Sequence, residues 1–148
     1  MYLIAIGVIG VLVLIFGLVR MKQLRKRREI EEFSIGPEIL RDLLDQKQVL
    51  LFDVRQPLDF LAYSEIIPGA TRIPPKDLVE HTASFPRDQN SVIYCTCIND
   101  ETSRMILQKA RALNFTHVKL LKGGLAAWKE KGYPVEPYEK SFRLDTAS

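Results

Sequence analysis

Strand and helix signals alternate along residues 33–137 and predict an α/β domain, with a mostly parallel central sheet flanked by helices and one transmembrane helix in front. Three observations carry this prediction. Short apolar runs bounded by polar residues, at 49–54 (VLLFDV), 91–95 (SVIYC) and 118–121 (VKLL), read as buried strands. A helix signal follows each of them. The first nineteen residues, MYLIAIGVIGVLVLIFGLV, contain no charged side chain.

The division of the chain follows: a transmembrane helix over 1–19, a basic juxtamembrane linker over 20–32, the α/β domain over 33–137 and a tail over 138–148. Nineteen helical residues extend about 28 Å at ~1.5 Å each, close to the ~30 Å hydrocarbon core of a bilayer. A buried core helix of that length would carry a polar stripe. A cleaved signal peptide would have a basic start, a shorter apolar core and a small-residue cleavage site. Met1–Val19 has none of these, so a retained single-pass span is expected. Arg20, Lys22, Arg25, Lys26, Arg27 and Arg28 follow it directly, and the positive-inside rule places the domain on the cytoplasmic side. Gly7, Gly10 and Gly17 share one helix face, which either supports weak self-association or reflects the frequency of Gly in membrane spans.

The whole chain of 148 residues carries 21 Lys+Arg against 18 Asp+Glu. Removing the six juxtamembrane bases leaves 15 against 18, a net of −3, so residues 29–148 have no electrostatic case for nucleic acid. A hydrophobic fraction of 47% excludes a disordered chain. Two cysteines, Cys95 and Cys97, exclude a disulfide scaffold. With His81 and His117 they do not complete a metal site, and neither a metal nor a cofactor is expected.

Within the domain, Ser34–Gln46 reads as a helix: Pro37 suits a first turn, and Ile39, Leu40, Leu43 and Leu44 recur at three-four spacing. Val49–Val54 is a strand and Gln56–Ala62 a short helix. Pro68-Gly69 is a turn. Thr71–Ile73 is a short strand stopped by Pro74-Pro75, and Lys76–Thr82 a weak helix. Ser91–Cys95 is a strand, Glu101–Leu113 a helix, Val118–Leu121 a strand, and Gly123–Lys131 a helix closed by Gly132 and Pro134. In parallel sheets the ligand site lies beyond the carboxyl ends of the strands. Asp53 and Cys95 end two of them.

Cys95 therefore precedes a loop and a helix start, with Asn99 or Asp100 as the N-cap. Unpaired N–H groups and the helix dipole there lower a thiol's pKa and make it a nucleophile. A buried Cys is also ordinary core filling, and Asp100 and Glu101 disfavour a second negative charge nearby. Cys97 is either a resolving thiol for Cys95 or a small loop residue; a disulfide across one residue would be strained and labile.

Several motifs in order resemble the rhodanese family over about residues 33–137. Leu51-Phe52-Asp53-Val54-Arg55 with Asp59-Phe60 is similar to its DVR motif. Ile67-Pro68-Gly69-Ala70 with Ile73-Pro74 is similar to its I-P-G-A turn. Tyr94-Cys95 matches the strand end with the active cysteine. Leu121-Lys122-Gly123-Gly124 with Trp128, then Gly132-Tyr133-Pro134-Val135, resembles its ending. The resemblance implies a sulfurtransferase that carries sulfane sulfur as a persulfide on Cys95. The backbone N–H groups of Thr96, Cys97, Ile98, Asn99, Asp100 and Glu101 would hold it. It further implies that Asp53 supports the loop by hydrogen bonding and that Arg55 pairs with Asp59, while Gly123, Gly124 and Trp128 serve turn and packing.

The loop departs from the common C-R-x-G-x-R-S pattern: Thr96 and Asp100 replace its arginines and Ile98 its glycine. It is closer to a C-x-C-P-N-E-x-x-S variant of a bacterial subgroup, with Ile98 for Pro and Asp100 for Glu. Fewer arginines weaken the case for small sulfur oxyanions such as thiosulfate. The partners implied are a sulfur donor and a thiol acceptor, small molecule or protein. Phosphatases of this fold need C-x5-R, and Glu101 (counted from Cys95) or Ser103 (counted from Cys97) stands at that Arg position, so phosphate lacks its bidentate partner. The alternative expectation is a non-catalytic rhodanese-like binding or redox-sensing module that uses Cys95 and Cys97.

Overall fold

The computed structural model describes residues 1–77, 87–96 and 100–138. The chain divides into two compact units, 1–32 and 33–148. The first is one uninterrupted helix, α1 (Tyr2–Glu32). No break separates the apolar stretch from the basic linker, so the connecting segment is helical throughout. Side chains from Ile6 to Val19 are exposed, so they fill no core. Among the described residues, this is one helix long and apolar enough to cross a membrane.

The second unit is built on a five-stranded sheet, ordered β1-β6-β5-β2-β4, in which every pairing is parallel. Its strands are β1 (Ser34–Ile35), β2 (Leu50–Asp53), β4 (Thr71–Arg72), β5 (Ser91–Tyr94) and β6 (Val118–Leu121). The helices are α2 (Pro37–Asp45), α3 (Pro57–Ala62), α4 (Asp100–Ala112) and α5 (Gly124–Glu130). A separate antiparallel pair joins β3 (Glu65–Ile66) to β7 (Glu136–Pro137).

The central strands lack polar alternation because both of their faces are covered. All four residues of β5 are buried. On one face Leu51, Val92, Tyr94, Ile35 and Leu121 pack with Leu40 of α2 and Leu125 and Trp128 of α5. On the other, the register partners Phe52, Ile93 and Leu120 are buried, as are Leu107 and Ala110 of α4.

Three sequence expectations are corrected. Ser34-Ile35 is an edge strand rather than the start of a helix: the N–H of Leu120 donates to Phe33 O at 2.8 Å and that of Lys122 to Ile35 O at 2.9 Å. Gly36, extended before Pro37 (ψ 161°), then caps a helix whose first residue needs no N–H partner. The β3–β7 pair was not expected. Tyr138, assigned to the tail, belongs to the domain: its N–H donates to Ser64 O at 3.1 Å and its ring meets Phe60 edge-on at 5.0 Å. Residues 78–82 of the weak helix and 139–148 of the tail lie outside the described residues.

Candidate functional site

β5 lies in the middle of the sheet and ends at Tyr94, so Cys95 emerges at the carboxyl edge beside the end of β2. Cys95 is buried, and among the described residues it forms no disulfide. Its carbonyl accepts the Leu125 N–H at 3.2 Å. This bond is made at the first turn of α5, where Gly123 and Gly124 both take positive φ, 73° and 57°. A Cβ on Gly124 would stand 1.9 Å from Cys95 O, so only glycine lets α5 approach the cysteine backbone. The two glycines thus hold the cysteine in place besides making a turn.

Thr96 follows, and its hydroxyl oxygen is buried without a hydrogen-bond partner among the described residues. Cys97, Ile98 and Asn99 lie outside the described residues, and with them the expected resolving thiol and one of the two N-cap candidates; the other, Asp100, is the first residue of α4. Asp100 and Glu101 open α4, a 13-residue helix, which puts a helix start just beyond the loop that leaves Cys95.

Asp53 ends β2, with Tyr94 as its register partner on β5 and Arg72 on β4. The three side chains share one face and form a buried network. Arg55 Nε donates to both Asp53 oxygens at 2.9 Å, and Arg55 Nη2 to Oδ2 at 2.5 Å. Two further Arg55 donors reach carbonyls, Nη1 to Tyr63 O at 2.7 Å and Nη2 to Glu65 O at 2.8 Å, and the guanidinium lies 4.7 Å from the Phe60 ring centroid. The expected Arg55–Asp59 pairing is therefore corrected. α3 begins only at Pro57, so Arg55 precedes the helix and the i, i+4 geometry that would bring Asp59 to it does not apply.

The Tyr94 hydroxyl donates to Asp53 Oδ2 at 3.2 Å and accepts the Ile67 N–H at 3.2 Å. It thereby ties the residue before Cys95 both to Asp53 and to the Ile67–Ala70 turn. Burial, reinforced by the Asp53 carboxylate, holds the Tyr94 phenol far above its ordinary pKa. Arg72 Nη1 reaches Asp53 Oδ1 at 3.4 Å, Arg72 Nη2 donates to Arg55 O at 3.0 Å, and its guanidinium lies 4.2 Å from the Phe60 ring centroid. Burial lowers the Arg72 pKa, with Asp53 opposing. Asp53 thus supports the strand ends by hydrogen bonding through Arg55, Arg72 and Tyr94. Sequence reasoning did not single out Tyr94 or Arg72 as site residues; the period-two register with Asp53 is the signal that places them beside it.

Comparison with known proteins agrees with this architecture. The family described as rhodanese-like domain matches residues 36–131. An uncharacterised protein of Synechocystis sp. is 35% identical over 101 residues, which cover 68% of this chain and 54% of that protein, so the chain spans about half the length of that relative. A protein of Allochromatium vinosum named sulfurtransferase is 29% identical over 93 residues, 63% of this chain and 83% of its own. Among solved structures, the Alr3790 protein of Anabaena sp. is 31% identical with a TM-score of 0.61, covering 71% of this chain and 83% of that one. A full-length protein of Lactobacillus plantarum, 20% identical, shares the fold with a TM-score of 0.68 over 80% of this chain and 99% of its own. The parallel sheet, the cysteine at the end of its middle strand and a family match over most of the second unit make the chain a member of the rhodanese-like domain family, with an apolar helix at its N-terminal side.

Proposed function

We propose that the protein is a membrane-anchored sulfurtransferase that passes sulfane sulfur through a persulfide on Cys95. The observation that carries the reading is the position of Cys95: buried at the carboxyl end of the middle strand, before a loop that runs into α4. Unpaired N–H groups and partial positive charge at a helix start favour the thiolate over the thiol. Membership of the family and the sulfurtransferase name of the Allochromatium relative support the same chemistry.

The reaction is a pair of displacements at sulfur. The Cys95 thiolate attacks the outer sulfur of a donor persulfide, R–S–SH. A Cys95 S–S bond forms, the donor S–S bond breaks, and the donor leaves as a thiolate. An acceptor thiolate then attacks the outer sulfur of Cys95–S–SH, and Cys95 departs as the thiolate it began as. The proton stays with the persulfide, no net oxidation occurs, and no cofactor enters. The backbone N–H groups of residues 96–101 hold the outer sulfur. A thiol persulfide or protein-borne donor suits this loop better than thiosulfate, because Thr96 and Asp100 stand where arginines would grip an oxyanion.

α1 supplies the anchor. Residues 1–19 cross the membrane, the basic run 20–28 stays on the cytoplasmic side, and the domain acts there. Steady-state transfer to a thiol acceptor, with the full chain in detergent, tests the proposal. A small-molecule persulfide should sustain turnover that Cys95→Ser abolishes, with thiosulfate a poor donor. Turnover that survives in Cys95→Ser would refute the role of the cysteine, and efficient thiosulfate use with a low KM would refute the donor class.

A further inference from the structure

We infer, building on the proposed role of Cys95, that Arg72 is a positioning residue for its chemistry: it supplies a surplus buried positive charge that sustains Cys95 as an anion. Arg55 and Asp53 side chains are 0% exposed and that of Arg72 is 6%. Two guanidiniums thus share one carboxylate. The Arg55 fork faces Asp53 squarely and balances it. Arg72 touches the same carboxylate at 3.4 Å, and its other contacts among the described residues, the Arg55 carbonyl and the Phe60 ring, carry no charge. Among the described residues, the ionisable groups facing Arg72 are Asp53 from β2, Arg55 just beyond it, Tyr94 from β5 and Tyr138 after β7. Among the described residues Asp53 is the one carboxylate these two guanidiniums meet, so the cluster as described carries one surplus positive charge. A buried charge without a partner is costly and is relieved by an anion nearby.

The register shows where such an anion stands. Arg72 and Tyr94 flank Asp53 on β4 and β5, and Cys95 is the next residue after Tyr94. Two strand spacings, about 10 Å, separate the Cys95 and Arg72 backbones. Two unit charges about 10 Å apart at an effective dielectric of ~20 interact by the equivalent of about one pKa unit. The loop after Cys95 has Thr96 and Asp100 where the common family pattern has arginines, so the cation comes from a neighbouring strand and never needs to touch the sulfur.

The test is the apparent pKa of Cys95, read from the pH dependence of iodoacetamide alkylation followed by intact mass. The full chain in detergent is used, in a Cys97→Ser background and without any sulfur donor. Asp100 and Glu101 at the start of α4 and Lys122 after β6 are common to every variant, so differences report the cluster. Arg72→Gln should raise the value by about one unit, a tenfold loss of thiolate below it. Asp53→Asn, which enlarges the surplus charge, should lower it. Arg72→Lys should leave it near the parental value. Opposite shifts are the signature of charge; shifts in the same direction, as a loosened site would give, or no shifts at all, overturn the inference. If Gln or Asn prevents a cooperative melt, Arg72→Lys decides: a value that moves up by about one unit with the charge retained overturns it as well. No step of sulfur transfer is involved, so the expected shifts with no sulfur uptake would overturn only the proposed reaction.

Discussion

Replacing Gly124 by Ala places a methyl group where the chain has no room. The added Cβ would meet Cys95 O at 1.9 Å and Cys95 C at 3.0 Å, both backbone atoms of the middle strand's end. Gly124 also has φ of 57°, and a non-glycine residue pays about 1–2 kcal/mol in that region. To restore ordinary contact the Cys95 carbonyl must retreat by more than about 1 Å. That movement breaks the 3.2 Å hydrogen bond from Leu125 N–H, worth about 1 kcal/mol. The conformational and hydrogen-bond terms with the residual overlap give a loss of at least about 3 kcal/mol, or roughly 10 °C or more in Tm for a domain of this size. Gly132→Ala is the matched control: its φ is 70°, yet nothing lies within 4 Å of an added Cβ, so it should lose only the conformational part. Thermal unfolding of both variants by circular dichroism separates the two contributions. Gly124→Ala melting within about 3 °C of Gly132→Ala would refute the close approach and, with it, the role of α5 in fixing the cysteine backbone.

Three further outcomes follow from the buried network and from α1. Arg55→Leu leaves Asp53 buried with its main partner gone and the Tyr63 and Glu65 carbonyls without their donor; chemical denaturation should show a loss of about 3–5 kcal/mol. The raised pKa of Tyr94 makes stability pH-dependent on the alkaline side. The folded phenol keeps its proton where the unfolded one, with a pKa of about 10, loses it, so this contribution is full below pH ~10 and declines by about 1.4 kcal/mol per unit above it, until the folded value is passed. Tyr94→Phe should remove that one-proton slope in a pH series of denaturation midpoints. Deleting residues 1–19 should move the protein from the membrane pellet to the soluble fraction on cell fractionation, with the full chain resisting extraction by high salt and alkali.

The sequence revealed those parts of the fold that rest on side-chain pattern. β2, β5 and β6 are apolar runs because both sheet faces are covered, and the α4 helix shows its period in the sequence. β1, β3 and β7 are two residues each and rest on backbone hydrogen bonds that no side-chain pattern announces. β3 and β7 also pair across about seventy residues of chain, beyond any local signal. The site was legible in Cys95 and Asp53, which end predicted strands. The family resemblance implies an Arg55–Asp59 pair, whereas the extended backbone before Pro57 turns Arg55 back two residues to Asp53. Arg72 lies in a short predicted strand between a turn and two prolines, and only the register of that strand carries it against Asp53 and the Phe60 ring. Gly123-Gly124 looked like a turn, and the reason for the second glycine is a contact with a backbone some thirty residues away in sequence.

The central claim is that Cys95 carries sulfane sulfur, and intact mass tests it most directly. The reduced full chain, incubated with a small-molecule persulfide and freed of donor, is compared with Cys95→Ser and Cys97→Ser. The account predicts the gain of one sulfur atom in the parent and in Cys97→Ser, none in Cys95→Ser, and its loss on addition of an acceptor thiol. Sulfur gained without Cys95, or no gain in the folded parent, would contradict it; loss of two hydrogens that requires both cysteines would point instead to a redox dithiol.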